Sequence, residues 1–242
     1  MNTQAKLLNA ILFTSVCYSG LAMSMDFPPA IDRSGALFTQ TNAPDENKVL
    51  MYKRDDMGQL EYVMSVSTAG KGTGNGLGNQ GSLAISRHHQ WLFVVNAGSN
   101  EISSFKITKK GLKLVNIVNS GGMRPVSVAV FDHLLYVLNA DSDSIAGYMF
   151  DNQGQLTPLE NSTRKLSGVG TAPAEISFNP WGDLLVVTEK ATNRIDTWQV
   201  RSNGLTSKTI VNASAGTTPF GFKFNRRGEL VVSEAAAGAL DA

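Results

Sequence analysis

The chain has 242 residues, with 23 glycines, 8 prolines and one cysteine. Its 42% apolar and 17% charged content excludes a disordered chain, and its length suffices for a sizeable core. Twenty-one basic residues against 20 acidic ones leave a formal charge of +1, which argues against a nucleic-acid binder driven by phosphate neutralisation.

In chain order, Lys6 precedes a mostly apolar run from Leu7 to Ala22, shorter than the ~20 residues that a membrane span needs. Small residues at Gly20, Ala22 and Ser24 offer cleavage after Ala22 or Ser24, so residues 1–24 read as a secretory signal peptide of a secreted or periplasmic protein, with an uncleaved amino-terminal anchor as the alternative. Its removal takes Cys17, the only cysteine, and leaves no thiol nucleophile and no disulfide. No other long apolar stretch follows, so no membrane span is expected after cleavage.

A pattern then recurs about every 45 residues. A β-rich apolar run ends on a small polar residue, a turn follows, and an alternating strand closes on an aromatic. Leu92–Asn96 leads to Ile102–Phe105, Leu135–Asn139 to Ile145–Tyr148, and Leu184–Thr188 to Ile195–Trp198. A looser copy precedes these at Phe38–Asn42 and Val49–Tyr52, and another begins at Leu230–Ser233. Each later unit carries an earlier strand, over 82–86, 126–130, 174–178 and 220–224, closed by turn residues such as Asn179-Pro180-Trp181-Gly182-Asp183. A fourth strand follows the aromatic, as at Leu112–Ile117.

Four short antiparallel strands at this spacing predict an all-β chain built as a β-propeller. A β-sandwich also alternates and turns, but it does not demand that aromatic, Asn/Thr and turn recur in phase. The blades are expected at approximately 35–70, 81–121, 124–168, 173–215 and, incomplete, 219–242. Seven such blades need about 315 residues. The chain therefore reads as an incomplete seven-bladed propeller of about four and a half blades, with open edges that would permit self-association. The glycine-rich stretch Lys71–Gly78 lacks a following helix and reads as a long flexible lead into the second blade, not a phosphate loop.

Gly81-Ser82-Leu83-Ala84, the stretch Val95–Ile102 and Arg124-Pro125-Val126-Ser127-Val128 resemble the lactonase family of seven-bladed β-propellers. That family includes bacterial 6-phosphogluconolactonase and fungal carboxymuconate-lactonizing cyclases. Pro173–Phe178, Val187–Asn193 and Thr218–Phe222 are similar to an exported, cyclase-like subgroup. The resemblance runs from about Gly35 onward and implies action on a small lactone or sugar-acid lactone.

In a propeller, the loops leading into the inner strands and those joining second to third strands gather at one mouth, where function usually sits. This places Gln80, Arg124, Glu175, Glu189, Lys190 and Glu234 at the mouth. Opening a lactone needs a base to activate water and a positive group for the developing oxyanion or a substrate anion. Arg124 is the expected cation, Glu175 or Glu189 the base, and Gln80, Lys190 and Glu234 contribute to substrate binding. The alternative is a non-catalytic binding module in which Arg124 pairs with one of these glutamates. His88, His89 and His133 fall on turns of the opposite face and are expected as solvated residues, so neither metal nor cofactor is expected. Convergence of Arg124, Glu175 and Glu189 on one concave pocket separates the enzyme from the binding module.

Overall fold

The computed structural model describes residues 35–236. The signal peptide expected over 1–24 and the last residues of the fifth unit, 237–242, lie outside them. In chain order the strands are β1 (Gly35–Gln40), β2 (Lys48–Arg54), β3 (Leu60–Ser67), β4 (Leu83–Ile85), β5 (Trp91–Asn96), β6 (Glu101–Thr108), β7 (Gly111–Asn119), β8 (Pro125–Phe131) and β9 (Leu134–Asn139). They continue as β10 (Ser144–Phe150), β11 (Leu156–Pro158), β12 (Arg164–Lys165), β13 (Pro173–Phe178), β14 (Leu184–Glu189), β15 (Arg194–Gln199), β16 (Ile210–Ala213), β17 (Pro219–Phe224) and β18 (Leu230–Glu234).

These strands form antiparallel sheets in sequence order: β1-β2-β3, β4-β5-β6-β7, β8-β9-β10-β11 with β12 beside β10, β13-β14-β15-β16, and β17-β18. The chain is thus a partial β-propeller, and the first strands β4, β8, β13 and β17 of successive blades touch one another. No helix among the described residues is long and apolar enough to cross a membrane.

The cores lie between blades, which explains the apolar runs. In β9, Leu135 and Val137 face the second blade, packing with Phe93 and Val95. Leu134, Tyr136 and Leu138 face the fourth, packing with Ile176, Leu185 and Trp198. A strand buried on both faces reads as continuous apolar sequence rather than as alternation. The recurring polar residue at the end of the apolar run in β5, β9 and β14 ties neighbouring blades together. Asn96 Oδ1 accepts a bond from Asn47 Nδ2 of the first blade at 2.9 Å. Asn139 Nδ2 donates to the Ser120 carbonyl at 3.0 Å, and Thr188 Oγ1 to the Phe220 carbonyl at 2.6 Å.

One expectation is corrected at the first blade joint. Lys71–Gly74, expected as the start of a flexible lead, is clamped between blades. Gly72 N–H donates to the Ala43 carbonyl at 2.8 Å, and Gly98 N–H to the Lys71 carbonyl at 2.9 Å. A Cβ on Gly98 would stand 2.0 Å from the Gly72 carbonyl oxygen, and one on Gly72 would stand 2.1 Å from the Asn42 carbonyl carbon. Backbone packed on backbone cannot yield as a flexible side chain does. Gly98→Ala is therefore expected to destabilise by about 1–3 kcal/mol in urea melts. Gly168→Ala, which meets nothing within 4 Å, is expected to stay within about 0.5 kcal/mol of the parent. Equal midpoints for the two variants would contradict the clamped joint.

Candidate functional site

At the mouth, the turns between second and third strands hold the segments that lead into the next blade. Asn100, Asp143 and Asn193 sit at positive φ (61°, 43° and 54°), a region that Asn and Asp tolerate best after glycine. Asn100 Oδ1 accepts the Arg124 N–H at 2.7 Å, and Asn193 Oδ1 the Thr218 N–H at 2.7 Å. Asp143 accepts the Gly170 and Thr171 N–H groups at 2.8 and 2.9 Å and the Thr171 hydroxyl at 2.6 Å. Arg124 itself has φ 51°, but Ala172 and Thr218 at the equivalent positions before proline have φ 47° and 60°. The strain therefore belongs to the blade repeat and is not by itself a mark of catalysis.

A cleft of about 470 Å³ lies among the first strands β4, β8, β13 and β17. Its polar wall includes Glu175, Ser177, Asn179 and Lys223, with Arg87 and Asp132, 3.8 Å apart. Glu175 is only 3% exposed. Its Oε2 accepts the Phe222 N–H at 2.7 Å, and its Oε1 lies 3.1 Å from the Lys223 ammonium, on a side chain that is 85% exposed. One carboxylate oxygen is thus fixed by backbone while the other faces a cation with freedom to move. Gln80 shares a second, adjoining cleft with Glu175, Lys223 and Ser233.

The segment 78–81 is stitched across this region. Gln80 N–H donates to the Ala174 carbonyl at 2.9 Å, and the Gly81 carbonyl accepts the Val128 N–H at 2.8 Å. Asn79 Nδ2 donates to the Val126 carbonyl. The Lys190 ammonium, buried, donates to the Gly78 carbonyl at 2.7 Å and lies 5.4 Å from the Phe220 ring centroid. Burial, and secondarily the Arg124 charge, lower the pKa of Lys190. Two cations thus flank one side of the mouth.

The structure brings Gln80 and Glu175 to one cleft and sets the other named residues apart from them. Arg124 pairs with neither glutamate; its Nε donates to Asp141 Oδ1 at 2.5 Å. Glu189 is fully buried inside the fourth blade, and neither it nor Arg124 lines the channel cleft. Glu234 Oε1 accepts the Ser214 hydroxyl at 2.6 Å and the Gly216 N–H at 2.7 Å, and these two bonds, the hydroxyl first, lower its pKa. Sequence reasoning missed Lys223. The usable signal was its place on a first strand, two residues beyond Gly221, with which it shares the adjoining cleft. His133 lies on its turn against Phe150, with Nδ1 3.0 Å from the Phe150 carbonyl. Among the described residues no group of three or more His, Cys, Asp or Glu is placed to hold a metal.

A family model described as a seven-bladed lactonase β-propeller matches residues 45–169. Comparison with curated proteins finds no match. Among solved structures, a Bacteroides fragilis protein assigned as a 6-phosphogluconolactonase is 16% identical with a TM-score of 0.56, covering 85% of this chain and 75% of that one. The periplasmic gluconolactonase of Pseudomonas aeruginosa is 17% identical with a TM-score of 0.62, covering 82% of this chain and 59% of its own. A Lactobacillus plantarum protein gives 19% identity and a TM-score of 0.62, with 82% and 60% covered. At these identities the likeness is one of fold.

Proposed function

The chain belongs to the lactonase family of seven-bladed β-propellers, and from that premise we propose that it opens a small lactone or sugar-acid lactone by general-base hydrolysis in the channel cleft. The observation that carries this reading is Glu175, 3% exposed in the cleft wall, with the Lys223 ammonium 3.1 Å from its Oε1. The Glu175 carboxylate takes a proton from water as the hydroxide attacks the lactone carbonyl carbon. The Lys223 ammonium balances the oxyanion that forms. The tetrahedral adduct collapses, the ring C–O bond breaks, and the proton held by Glu175 passes to the leaving alkoxide. Lactone and water become one hydroxy acid, and run backwards the same groups would close the ring. Lys190 adds a cation at the mouth that favours an anionic substituent on the substrate, while the Arg124 charge there is balanced by Asp141.

Secretion or a periplasmic location is part of the proposal, supported by the apolar segment after Lys6 and by the fold likeness to a periplasmic gluconolactonase. A second reading, a binding module without turnover, is favoured by two observations. Both Glu175 oxygens are occupied, and Arg124 is paired with Asp141 rather than sharing the cleft.

Acid release from a panel of five- and six-membered sugar-acid lactones, followed at constant pH, separates the two. The wild-type chain is expected to exceed the uncatalysed rate, and Lys223→Met to lower kcat by about 10²-fold. Binding of a lactone by calorimetry with no acceleration in any of them would establish the second reading.

A further inference from the structure

The fourth blade contains a pair of carboxyl groups that the proposed chemistry does not use. Glu189 ends β14 and Asp196 lies on β15, and both are 0% exposed. Donors converge on Glu189. Oε1 accepts the Ser167 N–H at 2.9 Å, and Oε2 accepts the Ser167 hydroxyl at 2.5 Å as well as the Thr192 hydroxyl. Among the described residues, neither Asp196 oxygen has a well-formed hydrogen bond of its own; the Ser167 N–H, which is bonded to Glu189, is near enough to lower its pKa. Asp196 stands opposite Val187 across the β14–β15 ladder, so its side chain shares a face with that of Glu189 two residues on, and burial, then the hydrogen bond to Glu189 and its charge, push its pKa up to about 8.

Two ionised carboxylates here would sit side by side out of water, one of them without a well-formed hydrogen bond of its own. A proton between them removes one charge and supplies the missing O–H. A metal ion fits less well, because a backbone N–H and two hydroxyl hydrogens already point at Glu189. Arg194, on the same strand as Asp196, is the smallest of the causes and lowers its pKa. Lys190, next in the chain after Glu189, donates to the Gly78 carbonyl, and Lys165 donates to the Ser142 carbonyl.

The position of the pair gives it a consequence. Segment 167–171, which leads into β13, is held from both sides by carboxylates. Glu189 grips Ser167, and Asp143 grips Gly170 and Thr171. We propose that Glu189 and Asp196 share one proton at neutral pH, and that this proton locks segment 167–171 against the fourth blade, so that its loss loosens the joint between third and fourth blades at the mouth. This lock does not depend on the lactone chemistry. The folded chain keeps a proton that the unfolded chain has already released in the ordinary aspartate range. The stabilisation is therefore complete at acid pH and is lost as pH rises toward about 8.

Hydrogen exchange and carboxyl ¹³C NMR on the full chain test it. Between about pH 6 and pH 9, exchange at Ser167 is expected to rise ~tenfold more than at Val95, whose N–H is bonded in the second blade. In Asp196→Asn the amide donates to Glu189 at every pH, so this excess is expected to fall below ~twofold. One carboxyl of the wild-type pair should titrate above about pH 7, a reading that needs no variant to fold. Three results would overturn the lock: both carboxyls titrating below about pH 5, an undiminished excess at Ser167 in Asp196→Asn, or millimolar Ca²⁺ abolishing the pH dependence.

Discussion

Trp198→Ala is expected to destabilise the chain by about 3–5 kcal/mol, measured by urea unfolding with circular dichroism. Trp198 is 0% exposed in the cluster between third and fourth blades, packed with Tyr136, Leu138, Ile176, Leu185 and Val187 from both sheets. Its indole N–H donates to Thr209 Oγ1 at 3.1 Å, and that hydroxyl donates to the Lys165 carbonyl at 2.8 Å. Truncation would remove the largest side chain of the joint, leave a cavity that two rigid sheets cannot collapse into, and take away the partner of Thr209. Trp198→Phe keeps most of the apolar area and loses the N–H bond, so it should cost distinctly less. Blades meet chiefly their neighbours, so the alanine variant should also broaden the transition as the fourth blade loosens ahead of the second. A loss below about 1 kcal/mol with an unchanged slope would mean that this joint does not carry the stability its burial implies.

Much of this architecture was legible because the blade repeat constrains residues in phase. Leu92–Asn96, Leu135–Asn139 and Leu184–Thr188 are each pressed between two neighbouring blades, and each ends on a side chain that must bond across a joint. Local pattern and global packing therefore demand the same residues. The site was less legible because it depends on partners that come from different blades. Placing Arg124 and Glu175 at first-strand starts said nothing about which ions they meet, and Asp141 and Lys223 took the places considered for each other. Glu189 illustrates the limit most clearly. A loop-edge glutamate looks mouth-facing in sequence, yet Ser167 and Asp196 make its surroundings polar enough to bury it. Asp196 did leave a signal, since it stands two residues before Trp198 and so shares the inward face of β15.

Replacing Glu175 with Gln is expected to lower kcat for lactone opening by about 10²–10⁴-fold while leaving KM within a few-fold. The amide keeps the shape of the side chain and an oxygen to accept the Phe222 N–H, but it has no basic oxygen with which to take a proton from water. The ion pair with Lys223 is lost, yet that side chain is 85% exposed and stays hydrated, so stability should change by about 1 kcal/mol or less. Activity and stability thus part company, which a purely structural glutamate would not allow. Glu175→Asp retains the base but withdraws it from the position facing Lys223, and should fall between wild type and Gln. Glu160→Gln, on an exposed turn of the third blade, serves as the control for an unrelated carboxylate. If Glu175→Gln turned over lactone as fast as this control, the base would have to be sought elsewhere on the channel wall, and the Glu175–Lys223 pair would be left as a neutral lining between two blades.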